Sequence, residues 1–562
     1  MTTAMTREQM WQKLERADAV DLLVIGGGIV GAGVARDATR RGLSVAVVEM
    51  DDLASGTSSR SSKLVHGGLR YLEQYEFGLV FESVSERRVL MDLAPHLVNP
   101  LGFLFPVYEG SRHNLLMIRA GMWLYDGLSL FRSPKRHRQL SGADVKVEEP
   151  ALKSEGLKGA PLYYDCSTDD ARLTLENALD AARLGAIVAT HAKVEGFVRG
   201  NDGRLKGAKI RDLLGGRTKD LRARAIVNAT GPWTDATIAL TQTEGAAPRP
   251  PMLRPTKGVH IVVDHARLPV KNAVVCFHPD DGRVLFAIPW GEQTYVGTTD
   301  TDYQGDPADV AATHDDVRYL LRATSAYFPT QNVGEADVIS TWAGLRPLIA
   351  EEGVKESQVS REHHIAVGQE GLITIAGGKL TTYRRMSAEI VDTAVRVLEM
   401  AREIQRELSP SRTDKVPLPG GEGWPEDDDQ AKVVAQIVAA SAGALDGRAA
   451  NVLASQYGMR AIAMAERAAQ DPSAAAPLVP GGPDRMVQVD VAIEEELAAT
   501  LLDVLARRTQ LYLRDRDQGL GAAEAVASRM ASTLGWTPER KAAELEAYRA
   551  EVARSRRWRS EP

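Results

Sequence analysis

The sequence predicts an α/β protein of three parts: a nucleotide-binding domain around a parallel sheet, a second domain around a mixed or antiparallel sheet, and a helical C-terminal domain. Three observations predict it. A strand, glycine turn, helix and strand occupy residues 21–49, β-rich runs broken by turn signals fill 254–370, and Ala-, Glu- and Arg-rich sequence follows a Pro/Gly/Asp stretch at 409–429.

In DLLVIGGGIVGAGVARDATRRGLSVAVVE (21–49), Leu22–Ile25 is an apolar strand, Val30, Val34 and Ala38 recur at helical spacing, and Leu43–Val48 is a second strand. ARAIVNATG (223–231) and LITIAG (372–377) again run strands into glycines, which predicts one nucleotide domain assembled from 20–100, 165–250 and 366–400. VHIVVD, RVLFAIPW and TYVGTTD, separated by DDGR and WGEQ, predict the second domain over 101–164 with 251–365. SPSRTDKVPLPGGEGWPEDDD reads as a linker into a helical domain at 410–562.

A chain of 562 residues has room for two to four domains, and its 44% hydrophobic and 25% charged content is that of a globular protein. The formal net charge of −7 provides no global positive field, so nucleic acid is not an expected partner and anionic ligands need a local basic pocket. Two cysteines, Cys166 and Cys276, lie outside any CxxC and support neither a disulfide framework nor a cysteine metal site, which fits a reducing compartment. The first twenty residues mix both charge signs without an apolar core, and no uncharged apolar run is long enough to span a bilayer; export and a transmembrane helix are not expected.

Gly26-x-Gly28-x-x-Gly31 follows a strand and opens a helix, the context in which the pattern binds a dinucleotide. Gly26 permits the tight turn and Gly28 lets pyrophosphate approach the helix N-terminus, while Gly31 lets helix pack on strand. Glu49 ends the second strand, where a carboxylate accepts ribose hydroxyls and repels a 2′-phosphate, favouring FAD or NAD over NADP. The polar loop SGTSSRSSKLVHGGLRY (55–71) is placed to contact pyrophosphate and isoalloxazine, which favours flavin. Asn228-Ala229-Thr230-Gly231 resembles a second flavin-contacting turn, and Trp233 beside it either packs in the core or contacts the cofactor.

IGGGIVGAGVARDATRRG (25–42), GGKLTTYR (377–384), and EELAATLLDVLARRTQLYL (495–513) with LGW (534–536) together resemble the FAD-dependent, quinone-linked glycerol-3-phosphate dehydrogenase family. Ser387 departs from the Ala expected after the second pattern. The resemblance implies a Rossmann-like FAD-binding domain of the glutathione-reductase/D-amino-acid-oxidase type. It also implies oxidation of sn-glycerol 3-phosphate at C2 to dihydroxyacetone phosphate, with hydride passing to flavin N5 and electrons to a membrane quinone. Expected cofactor contacts are Gly26, Gly27, Gly28, Gly31, Glu49, Ser55, Thr57, Ser58, Ser62, Lys63, Val194, Ala229, Gly231, Trp233, Gly378, Lys379, Leu380 and Thr381. A homodimer at the cytoplasmic face of the membrane is expected.

A phosphorylated substrate carries about −1.5 to −2 charges and needs several fixed cations. By resemblance Arg70, Tyr71, Arg346, Arg361 and Lys379 surround it. Arg346 in WAGLRPL could instead stabilise a developing alkoxide. His66 is the first candidate for the hydroxyl proton, although a histidine there could equally hold flavin by a hydrogen bond; His260 and His278 are further pocket candidates. His363 and His364 would point to opposite strand faces, so no shared metal is expected.

Residues 112–138 interleave Met117, Trp123, Leu124 and Tyr125 with Arg119, Lys135 and Arg136, a composition suited either to an anionic leaflet or to a helix packed on the core. The N-terminal TREQMWQKLERA is a weaker membrane candidate because its charges nearly cancel. Rival readings are an O2-using glycerol-3-phosphate oxidase, an amine or amino-acid oxidase, and a non-catalytic flavoprotein.

Overall fold

In the computed structural model, which describes residues 5–68, 76–111, 115–129, 134–242, 249–350 and 362–560, the separated glycine-ended strands join one eight-stranded sheet. Ala19–Ile25 is central, with Val45–Val48 parallel on one side and Thr218–Asn228 parallel on the other. Ile187–Ala189 and Leu372–Gly377 extend the parallel order outward. Every residue of Val45–Val48 and all but the first of Ala19–Ile25 are buried, as a sheet covered on both faces requires. Helices Ile29–Arg40, Asp170–Arg183 and Tyr383–Met400 share a core with one face. The other face meets Trp11 and Leu14 of the helix Arg7–Arg16 and the strands Ala192–Arg199 and Leu205–Asp212. The apolar side of that N-terminal helix is therefore spent on the core.

Among the described residues the second sheet has eleven strands and is antiparallel except where Ala273–Phe277 runs parallel to Val98–Leu104, so it is mixed. Its long pair, Leu253–Asp264 with Val338–Ile349, sets Thr256 opposite Arg346 and His260 opposite Trp342. Leu64–Val65 already pairs here with Leu157–Thr168, so the chain first crosses into this sheet well before residue 101. His363–Val367 pairs instead with Leu372–Gly377 in the first sheet.

The C-terminal part is helical from Gln430 onward. The stretch before it is not a free linker. Thr413 and Leu418 are buried, Arg36 donates to the carbonyls of Val416 (2.5 Å) and Thr413 (3.3 Å), and the Gly420 N–H donates to Glu176 (2.8 Å). Pro and Gly remove helix and strand propensity there, while the buried arginine satisfies the carbonyls left unpaired. Both cysteines are buried and free, and among the described residues no helix is long and apolar enough to cross a membrane.

Candidate active site

All the parallel strands point their carboxyl ends to one edge, the usual ligand crevice of such sheets. A cavity of about 860 Å³ opens there, within the size range of cofactor pockets. Gly26, at φ +108°, starts the turn after the first strand, and a Cβ on it would lie 2.5 Å from the Ala229 carbonyl oxygen. A Cβ on Gly31 would lie 1.9 Å from the Gly26 oxygen, so helix and turn approach this closely only because both residues are glycine. At Gly28 a Cβ would meet only Ser58 Oγ, at 3.2 Å, so the space before the helix N-terminus is open as a pyrophosphate cradle requires. Ser58 Oγ accepts from the Ile29 N–H (2.9 Å) and so fixes the loop to that helix end.

Glu49 accepts the N–H groups of Gly27 (2.6 Å) and Asp51 (2.9 Å) and faces the cavity. Burial pushes its carboxyl up to about 7 against those two bonds, with Asp51 and Asp52 adding to the rise. Ribose hydroxyls would donate to this carboxylate in its ionised form.

Of the expected contacts, Gly26, Gly28, Glu49, Ser55, Thr57, Ser58, Val194, Ala229, Gly231, Trp233, Gly378, Lys379 and Leu380 line the cavity, as does Arg346. Trp233 is half-buried and stands in the cavity wall, where Gly56 approaches its ring, so of its two readings the structure carries the cavity one. Gly27 and Gly31 act behind the wall through backbone packing. Ser62, Lys63 and Thr381 do not line it. Ser62 Oγ bonds His260 Nε2 (2.9 Å), the buried Lys63 Nζ pairs with Asp170 (2.7 Å), and Thr381 Oγ1 bonds both the N–H (3.1 Å) and the carbonyl (3.2 Å) of His66. Arg70, Tyr71 and Arg361 lie outside the described residues.

Arg346 and Lys379 reach this cavity from different sheets. Arg346 donates to Asp300 (3.0 Å), Thr298 Oγ1 (3.1 Å) and the Thr299 carbonyl (3.2 Å), and Thr57 Oγ1 donates to the neighbouring Leu345 carbonyl (2.7 Å). Its charge thus has a protein partner already. Lys379 follows Gly377 and Gly378, whose φ of +72° and +89° turn the chain at the strand end. His66 is half-buried on the loop that Thr381 holds. His260 stacks on Trp342 at 4.6 Å, its buried Nδ1 has no partner among the described residues, and burial together with Arg346 and Lys63 holds its pKa well below the usual imidazole value. His278 is buried against Tyr319, and His363 pairs with Glu389 while His364 is exposed.

Sequence reasoning missed what the C-terminal domain contributes. Buried Asp52, between Glu49 and the Ser55–Ser58 loop, receives Arg507 Nε (2.5 Å) and Arg508 Nη1 and Nη2 (2.5 and 2.9 Å). Burial disfavours the charge of Arg507, but Asp52, Asp51 and Asp503 outweigh it and hold its pKa above the ordinary guanidinium value. The consecutive arginines in an otherwise apolar stretch were the available signal.

The helix Leu115–Leu128 buries Ile118, Met122 and Tyr125 and exposes the opposite side, with Leu116 75%, Met117 61% and Trp123 61% exposed. Its buried side packs on the core, and its opposite side is also largely apolar. The Tyr125 hydroxyl accepts from the Gly67 N–H (3.1 Å), next to His66.

A glycine turn at a helix N-terminus, a cavity-facing carboxylate at the end of the second strand and a β-rich domain bringing a cation to the same cavity define a dinucleotide-dependent oxidoreductase fold. Residues 21–384 match the family model described as FAD dependent oxidoreductase, and residues 411–541 match the C-terminal domain of alpha-glycerophosphate oxidase. Over 549 residues, 97% of this chain and 96% of the relative, the sequence is 38% identical to the aerobic glycerol-3-phosphate dehydrogenase of Staphylococcus aureus (strain USA300). The structure of the glycerol-3-phosphate dehydrogenase from Bacillus halodurans complexed with FAD matches with a TM-score of 0.78 and 32% identity, covering 98% of this chain and 97% of that one. The L-alpha-glycerophosphate oxidase of Mycoplasma pneumoniae, with FAD bound, shares the fold at a TM-score of 0.51 and 19% identity, over 71% of this chain and 99% of that one. The chain belongs to the aerobic glycerol-3-phosphate dehydrogenase family of FAD-dependent oxidoreductases.

Because Glu49 without ribose titrates near 7 and ribose favours its ionised form, FAD binding to apoprotein should strengthen as pH rises to about 7 and then level off. Below that value affinity falls toward about tenfold per pH unit. Titrating apoprotein with FAD from pH 5.5 to 8.5 checks this. Glu49→Gln should bind more weakly and lose the slope, and an unchanged slope would remove Glu49 from the ribose.

Proposed function

We propose that the protein oxidises sn-glycerol 3-phosphate at C2 to dihydroxyacetone phosphate and delivers the electrons to a membrane quinone. The observation that carries this reading is the meeting of Arg346 and Lys379 in the cavity that Glu49 and the glycine turn build for the dinucleotide. Bound FAD supplies the acceptor for the C2 hydride, and Gly26, Gly28, Glu49 and Ser55–Ser58 would hold it. Lys379 supplies a mobile point charge for the phosphate. Arg346, fixed by Asp300 and Thr298, supplies directed donors either to that phosphate or to the oxygen on C2 as its proton leaves. Arg70, Tyr71 and Arg361 complete the phosphate pocket in this reading.

His66 takes the hydroxyl proton, being pinned through its own backbone to the turn that carries Lys379. A second reading gives that role to His260, favoured by its place beside Arg346 and by a buried Nδ1 without a partner among the described residues. The exposed side of Leu115–Leu128, with Arg119, Lys135 and Arg136 also exposed, docks on an anionic leaflet, and its inner residue Tyr125 touches the His66 loop.

Anaerobic addition of sn-glycerol 3-phosphate to the purified holoprotein should bleach the flavin absorbance band; a band that stays would reject the substrate. Lys379→Ala should raise KM while FAD remains bound, and normal kinetics would remove it from the pocket. His66→Asn should slow flavin reduction by about 10²–10⁴-fold, whereas a loss confined to His260→Asn would move the proton to His260.

The membrane reading is tested with vesicles containing anionic lipid. Leu116→Ser combined with Trp123→Ser should weaken binding and quinone reduction but leave flavin reduction intact. Equal vesicle binding by wild type and variant would contradict it.

A further inference from the structure

The loop that fronts the dinucleotide cavity has a second cavity behind it. Here Ser55–Arg60 meets the strand Val338–Ile349 and the helix Pro538–Ser555, enclosing about 60 Å³, room for one small polyatomic ion rather than an organic ligand. Ser55 borders both cavities.

The charges in this wall are matched with one exception. Glu551 accepts Arg554 Nε (2.8 Å) and Nη2 (2.7 Å) and the Tyr512 hydroxyl (3.0 Å). Arg507 is taken by Asp52 and Asp503. Among the described residues the Arg60 guanidinium has neither an ion-pair nor a hydrogen-bond partner, and the Ser55 and Ser59 hydroxyls bordering the same space have none either. Burial, and then the like charges of Arg554 and Arg507, disfavour the Arg60 cation more than Glu551 supports it. A guanidinium withdrawn from bulk water ordinarily has an anionic partner, and its planar fork of donors suits an oxyanion.

We propose that this cavity is a binding site for a small oxyanion of phosphate size, held by Arg60 with the hydroxyls of Ser55 and Ser59. The anion balances the one unmatched cation at the junction of the three domains and braces the flavin loop from behind. FAD and the anion therefore strengthen one another's binding, by the reciprocity of linked equilibria. The proposal rests on the loop's geometry and not on the identity of the substrate.

Inorganic phosphate is the probe, added to holoprotein against sodium chloride of equal ionic strength, with the thermal midpoint and FAD release followed together. Wild type should show a saturable rise in midpoint and slower FAD release with phosphate. Lys379→Ala should keep both effects, which separates this site from phosphate binding in the substrate pocket. Arg60→Gln should weaken phosphate binding by about tenfold or more, the worth of one charge-assisted contact. Ser59→Val, which keeps the arginine, should weaken it less and covers the case in which Arg60→Gln does not fold. A shift that is unsaturable, equal with chloride, unchanged in both loop variants, or lost in Lys379→Ala overturns the site.

Discussion

Asp52 is the constraint on which the cofactor site depends. It is fully buried, three residues after Glu49 and three before Ser55, and two arginines of the helical domain close on its carboxylate. A buried carboxylate left without partners is strongly unfavourable, and breaking such a pair costs about 3–5 kcal/mol. Arg507 and Arg508 lie in the π-helical turn Asp503–Arg508, whose wider winding lets consecutive residues converge on one acceptor. Asp503, in the same turn, receives Arg507 Nη2 (2.8 Å) and bonds His191 (3.1 Å) beside the strand that carries Val194. The helical domain is thereby tied to the loop that borders the dinucleotide cavity, although none of its described residues lines that cavity.

The chemistry at the other part of the cavity follows from how two sheets share it. Lys379 arrives from the nucleotide sheet through two left-handed glycines, Arg346 from the second sheet through a long antiparallel pair. Thr57, whose loop lies against the dinucleotide space, holds the Leu345 carbonyl next to Arg346. Asp300 offsets part of the Arg346 charge, so that arginine is a directed donor more than a free positive charge. Burial beside Arg346 and Lys63 keeps His260 neutral and by the same forces makes its ring a weak proton acceptor.

Local signals were legible in the sequence. The glycine turn, Glu49 and the 372–377 strand stand where spacing and alternation put them, because backbone geometry within a few residues determines them. Partnerships across the chain were not. Lys63, expected as a cofactor contact, pairs with Asp170, 107 residues on, and Arg507 meets Asp52 across 455 residues. The 409–429 stretch has the composition of a linker, and distant residues, Arg36 on its carbonyls and Glu176 on the Gly420 N–H, make it a packed strap. Composition reports propensity, whereas pairing of buried charge is decided by the assembled fold.

The most direct measurement is the FAD dissociation constant of Asp52→Asn, made on protein whose circular dichroism matches wild type. Grip by the helical domain predicts a much weaker and faster-released FAD with the sheets intact. An unchanged dissociation constant would show that the flavin loop stands without the two arginines, and would contradict the account.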